Sequence, residues 1–293
     1  MGTTKAIKRV PRKSTTVRAM IIQTIRFGIS ILQRLSAKWT ADIVFRLMFR
    51  ARRHKRPEWE VELLSKADDH FLLPWRDGHL AAWSWGQGPT VLLVHGWEGR
   101  GTQLGKFVEP LLDAGYRVVA FDGPAHGDST VTRASIPDQT YAIERVAQHV
   151  GAIDAIIAHS MGGAATTFAA ARGLNAQKYI LISAPTDPND FFRGAAKMLG
   201  FNQKVVTRVK QITEKELGVT MESLHTPTQA AKLDAPALII HDEGDRDVIM
   251  QKSLELHESW VSSELMITKG LGHRRILKDS EVLKKTTTFL RSA

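Results

Sequence analysis

From about residue 79 onward the chain alternates short aliphatic runs with longer amphipathic stretches. "HLAAWSWG" predicts a strand, and "GQGP" the turn after it. "TVLLVHG", "YRVVAFDGP", "IDAIIAHS", "KYILISAP", "APALIIHDEGD" and "ELMITKG" predict further strands. Several are apolar almost without a break, the pattern of strands buried on both faces. Between them, "GTQLGKFVEPLLDAG", "PDQTYAIERVAQHVG" and "MGGAATTFAAARG" predict helices, and "DSEVLKKTTTFLRS" a closing one. Strands alternating with helices imply parallel βαβ units. The fold class is therefore α/β, with a mostly parallel central sheet and helices on both faces.

Two regions depart from this rhythm. Between "LISAP" and "APALII" lie about fifty residues, roughly 185–234, far more than most βα connections need. They contain "DFFRGAAKMLG" and "KVVTRVKQITEKELG", which predict a helical cap over the C-terminal edge of the sheet. At the other end, residues 1–16 read as a basic tail and 17–50 as helical. On a helical wheel Ala19, Gln23, Arg26, Ser30 and Arg34 share one narrow face, and Ile21, Ile22, Ile25, Ile29, Leu32 and Leu35 fill the rest. A second helical stretch, "WTADIVFRLMFR", follows; "ARRHKRPEW" then reads as a linker, with Pro57 ending any helix. The expected division is 1–56, a basic tail with amphipathic helices, and 57–293, the α/β domain.

One corner stands out for chemistry. "AIIAHSMGGAATTFA" runs from an aliphatic strand through Ser160 and a Gly-Gly pair into a helix. That is a nucleophile elbow, a serine on a sharp turn with its hydroxyl projecting above the sheet. The usual pattern has Gly two residues before and two after the serine; here those places hold Ala158 and Gly162. A serine hydroxyl attacks only when a base takes its proton. The Met161 amide, first in the following helix, has no intrahelical acceptor and is the expected oxyanion donor. "LLVHGWEGRG" ends an earlier strand, and the Trp97 amide there is the expected second donor.

In order, "VHGW", "DGPAHGDS", "HSMGG", "HDEGDRDV" and "GLGH" make the chain from about residue 79 to 293 resemble the α/β-hydrolase fold family. The resemblance implies a triad in the order Ser, acid, His. It assigns Ser160 as nucleophile, Asp245 as acid and His273 as base, with no metal and no cofactor. Asp242, Asp247 and Asp187 are rival acids. Glu98, Arg100, Arg274 and Arg275 lie close to the predicted site residues in sequence. The resemblance implies hydrolysis of a carboxylic ester or thioester through an acyl-enzyme. Acyl transfer or perhydrolysis on the same triad, and a non-catalytic scaffold used for binding or signalling, are the alternatives. Phe191, Phe192, Met198, Leu199 and Phe201 in the cap suggest an apolar acyl substrate, a small molecule.

Charge changes the picture at one end only. The 293 residues are 43% hydrophobic and 24% charged, ordinary for a globular protein, and include no cysteine, so there is no thiol chemistry. Residues 1–56 hold 15 of the 40 Lys and Arg against the single acid Asp42, a net of +14; the remainder carries 25 basic and 29 acidic residues, a net of −4. Apolar arcs beside that charge leave two readings of the N-terminal helices. They pack on the α/β domain or its cap, or they lie on an anionic membrane surface. No recognition motif accompanies the charge, so nucleic acid is not the expected partner. "AMIIQTIRFGISIL" is interrupted by Gln23 and Arg26, too short and too polar to span a bilayer. An Arg-rich, acid-poor start also has a transit-peptide composition. The expected location is the cytoplasm, peripheral at the inner membrane face where the helices bind lipid.

Overall fold

The computed structural model describes residues 13–292, and their side chains from Met20 onward. The chain groups into two units: the N-terminal helices with residues 189–218, and Phe49–Pro188 with the chain from Val219 onward.

The first unit is helical. It holds α1 (Lys13–Leu35) and α2 (Ala37–Met48) from the N-terminal region. The described part of the expected basic tail, 13–16, already belongs to α1; residues 1–12 lie outside the described residues. In the second unit α3 (Glu58–Ser65) precedes the sheet, which opens with β1 (Asp69–Trp75), β2 (Gly78–Trp85) and β3 (Thr90–Val94). A 3-10 turn, Gly101–Phe107, leads into α4 (Val108–Asp113), then β4 (Arg117–Phe121) and α5 (Ile136–Val150). Next come β5 (Ile153–His159), α6 (Met161–Ala171) and β6 (Ala176–Ile182). The chain returns to the helical unit for α7 (Pro188–Leu199) and α8 (Gln203–Leu217). It closes with α9 (Thr226–Ala230), β7 (Ala237–Asp242), α10 (Gln251–Ser259), β8 (Ser263–Thr268), α11 (Gly272–Arg275) and α12 (Ser280–Arg291).

The eight strands lie in the order β1-β2-β4-β3-β5-β6-β7-β8. β2 runs antiparallel to both β1 and β4, and the remaining pairings, from β4-β3 across to β7-β8, are parallel. Continuous apolar runs divide by the two-residue period of a strand. Leu93, Ile157, Ile180 and Ile240 enter one core, and Leu92, Ile156, Leu181 and Ile239 the other. Every residue of β3 is buried.

Several elements differ from expectation, among them α3, which begins inside the stretch read as a linker. β1, "DHFLLPW", is an additional edge strand, half exposed and carrying Pro74, a residue an edge tolerates because one side of its backbone has no ladder to complete. The stretch 101–115 is helical only in part: its first half is 3-10 and α4 begins at Val108. Pro110 has no amide to donate one turn back, so a regular α-helix cannot run through from Gly101. Other predicted boundaries have local causes. Ser135 caps α5 by accepting from the Asp138 amide, and Gly151 ends it at φ 89°. Asp279 caps α12 by accepting from the amides of Glu281 and Val282.

Within the helical unit, α2 packs on α8 and α1 on α2. Ala41, Val44, Phe45 and Met48 are buried, as are Phe192, Phe201, Val205, Val206 and Val209. The Arg26 guanidinium donates to the carbonyls of Lys197 and Met198 at 3.1 and 3.3 Å, placing a cation at the C-terminus of α7. Gln33 donates to the Gly200 carbonyl and accepts from the Asn202 amide at 2.8 Å.

Candidate active site

β3 is the point where strand order reverses, since β4 lies on one side of it and β5 on the other. Ligands of open α/β sheets bind beyond the strand ends at such a point. The "HGWEGR" loop leaves β3 there, and Ser160 leaves β5 there.

Ser160 has φ 53° and ψ −126°, a backbone conformation non-glycine residues rarely adopt. The surroundings impose it. Its amide donates to the Ile182 carbonyl at 2.9 Å, extending the β5–β6 ladder, while its carbonyl accepts from the Gly163 amide at 2.8 Å to open α6. Close backbone approach explains the flanking glycines. A Cβ on Gly162 would stand 2.5 Å from the His95 carbonyl oxygen, and one on Gly96 would stand 2.8 Å from the Ser160 Cβ. Ala158 is fully buried, paired with Val94 and Leu181, so the one-methyl departure from the usual motif is accommodated inside the sheet.

Asp245 and His273 meet directly. His273 Nδ1 donates to Asp245 Oδ2 at 2.7 Å. Asp245 Oδ1 accepts from the amides of Asp247 and Val248 at 2.9 and 3.0 Å. Burial works to raise this carboxyl, but the His273 hydrogen bond, the two amides and the nearby imidazole outweigh it and hold it at about 2. A carboxylate at Nδ1 favours the Nδ1–H tautomer, in which Nε2 carries the ring's lone pair. His273 comes close to the elbow through His159: the two rings lie 4.6 Å apart, and His159 Nε2–H donates to the His273 carbonyl at 2.9 Å. Among the described residues no hydrogen bond joins the Ser160 hydroxyl to the His273 ring; such contacts commonly run long before substrate binds.

Asp242 is the brace of this corner. Fully buried at the end of β7, it accepts from the Gly244, Leu271 and Gly272 amides at 2.8 to 2.9 Å and from the Thr268 hydroxyl at 2.9 Å. One carboxylate thus ties the loop carrying Asp245 to the loop carrying His273. Asp247 gives its amide to Asp245. The sequence marks Asp242 only as a rival acid, because the amides it collects are distant along the chain.

Buried histidines lace the two remaining loops. Gly123 N–H donates to His95 Nε2 at 2.8 Å, so His95 Nδ1 carries the proton and donates to the Gly96 carbonyl at 2.7 Å. Glu98 N–H donates to His126 Nε2 at 3.0 Å, and His126 Nδ1–H donates to the Pro124 carbonyl at 2.7 Å. Burial pushes His95 down to about 4, and His126 and His159 to about 3, so all three are neutral braces. Trp97 sits in this loop edge-on to the His126 ring, and Met161 opens α6.

The stretch that reads as a linker is instead bound to these loops. Arg56 pairs with the buried Asp122 at 2.6 Å and with Asp128 at 2.8 Å. Arg53 donates to the carbonyls of Ala125, Ser129 and Val131. Glu60 takes a two-point contact from Arg100 at 2.5 Å. Among the described residues no group of three or more His, Asp or Glu is arranged to hold a metal ion.

Comparison with known proteins bears on the fold and the family. The human "Serine hydrolase-like protein" is 36% identical over 99 residues, 31% of this chain and 47% of its own length, so the match spans about half of that relative. Among solved structures, a thermophilic esterase from Thermogutta terrifontis superposes with a TM-score of 0.59 at 18% identity, covering 76% of this chain and 98% of its own. The thioesterase domain from the curacin biosynthetic pathway gives a TM-score of 0.58 at 17% identity, covering 76% and 99%. At such identities these structures share the fold. The pattern of the "Alpha/beta hydrolase family" matches residues 91–283, about two thirds of the chain. That span contains the elbow, the Asp245–His273 pair and the "HGW" loop, and the chain belongs to the alpha/beta hydrolase family.

Proposed function

We propose that this protein is a serine hydrolase that cleaves a carboxylic ester or thioester of a small, apolar acyl substrate through an acyl-enzyme. The observation that carries the reading is the 2.7 Å Asp245–His273 hydrogen bond beside a serine held at φ 53°. In this reading His273 Nε2 takes the Ser160 proton as Oγ attacks the acyl carbonyl. The carbonyl oxygen becomes an oxyanion, held by the amides of Trp97 and Met161. Asp245 stabilises the imidazolium through Nδ1–H. His273 then protonates the departing alcohol or thiol, leaving the acyl group on Oγ. Water enters, gives its proton to His273 and attacks the acyl carbon; collapse returns Ser160 and releases the acid. The net reaction consumes one water and needs no further co-reactant.

Each oxyanion donor contributes roughly 3–4 kcal/mol in comparable sites. A fluorophosphonate probe tests the nucleophile: it is expected to label the wild type at Ser160 and to leave a folded Ser160→Ala variant unlabelled. A folded wild type that fails to label would favour a binding scaffold instead.

A further inference from the structure

The helical unit carries its apolar residues on two faces, and only one of them is used in packing. In α1, Met20, Ile21, Ile25, Phe27, Ile31 and Leu35 are exposed. At 100° per residue they fall within an arc of about 160°. Ile29, buried, and Arg26, bonded to the α7 carbonyls, lie outside that arc. In α2, Thr40, Ala41, Val44, Phe45 and Met48 are buried, while Trp39, Ile43 and Leu47 form an exposed row at four-residue spacing. Phe27 is 69% exposed, Leu35 75% and Trp39 66%, so these three are the most open members of the face. Together with Ile31, Ile43 and Leu47 they repeat every four residues from 27 to 47, across the break at Ser36.

Charge says what this face meets. Arg34, Lys38 and Arg46 are exposed between and beside the apolar rows. The described residues of the unit, 13–48 and 189–218, hold twelve Lys and Arg against four Asp and Glu, a net of +8. Residues 1–12 add four more basic side chains and no acid. The other unit holds 24 basic and 26 acidic residues, a net of −2. A second copy of so cationic a surface would be repelled at short range. An anionic lipid surface offers both requirements: acyl chains for Phe27, Leu35 and Trp39, and phosphates for the flanking basic groups. No helix among the described residues is long and apolar enough to cross a membrane, so a helix pair lying in the interface plane is the fitting geometry.

We infer that the exposed face of α1 and α2 is an interfacial docking surface for anionic phospholipid bilayers. The inference stands apart from the chemistry at Ser160. It is tested by co-sedimentation of the full chain with phosphatidylcholine vesicles, with and without phosphatidylglycerol. The wild type is expected to pellet with the anionic vesicles, to stay in solution with the neutral ones, and to be released by salt. A triple variant, Phe27→Ser with Leu35→Ser and Trp39→Ser, removes only exposed apolar groups. It is expected to lose pelleting while keeping its circular dichroism and its turnover of a soluble ester. Arg34→Glu, Lys38→Glu or Arg46→Glu is each expected to weaken binding by at least about fivefold. Ser160→Ala is expected to pellet like the wild type, which separates this surface from the hydrolase reading. Equal pelleting of the serine triple variant and the wild type, or no pelleting of the wild type with anionic vesicles, overturns the inference. So does a wild-type dimer that the triple variant converts to monomer, which would assign the face to a second copy.

Discussion

At the scale of single residues, the candidate site is a set of hydrogen bonds gathered on two carboxylates, Asp245 and Asp242. Asp245 is the test case for electrostatics. Its carboxyl is held at about 2, below the 3.8 of an unperturbed aspartate, so the folded state binds its proton less readily than the unfolded one. The resulting stability is present above the unfolded value and is lost as pH falls from about 4 toward 2. A shift of that size is worth roughly 2 kcal/mol. Urea midpoints measured across that window are expected to fall more steeply for the wild type than for Asp245→Asn; parallel curves would contradict the assigned cause. Asp242 works through its neighbours. Replacing it with Ala strands three amides and a hydroxyl, at roughly 1–3 kcal/mol for each group left buried and unpaired. Asp242→Asn keeps the shape but can accept at only one atom. It is expected to lower kcat for a soluble ester with little change in KM, a split that a merely destabilised but correctly assembled site would not give.

At the scale of elements, legibility follows how local the cause is. The elbow could be read from "AHSMGG" because a strand, a serine and two glycines are adjacent in sequence and geometry alike. The family resemblance picked out Asp245 and His273, and the structure joins the two by a hydrogen bond. β1 escaped because Pro74 and an exposed edge blur its alternation. The binding of residues 52–60 to the loops at the site escaped for another reason. A run of Arg and Lys reads as linker until the buried Asp122 that receives Arg56 is seen in space. That strap makes its own prediction. Arg56→Ala leaves Asp122 buried without its counter-ion and is expected to destabilise the protein by about 3–5 kcal/mol, read as a lowered denaturant midpoint. A change below about 0.5 kcal/mol would mean that the Asp122 carboxylate is sufficiently served by the amides of Gly101 and Asp128, which donate to it at 2.7 Å each. Close packing gives a second prediction for these loops. Gly96→Ala brings a methyl to 2.8 Å from the Ser160 Cβ and is expected to abolish fluorophosphonate labelling while the core stays folded.

At the scale of the whole molecule, charge and chemistry fall on different units. The α/β unit is near neutral and carries Ser160, Asp245 and His273; the helical unit carries the chain's positive excess. The sequence showed the basic N-terminus and the insertion as separate departures from the βαβ rhythm. It could not show that α2 packs on α8, because about 160 residues separate them and either helix reads as amphipathic alone. Nor could it show which apolar arc is used up in that packing and which remains open.

If Ser160, His273 and Asp245 act as one chemical unit, a double-mutant cycle on ester turnover reads out their coupling. Ser160→Ala and His273→Ala should each lower kcat by several orders of magnitude, and the double variant should be no slower than the worse single one. Effects that multiply in the double variant, or a His273→Ala enzyme close to wild type, would show that the two side chains work independently.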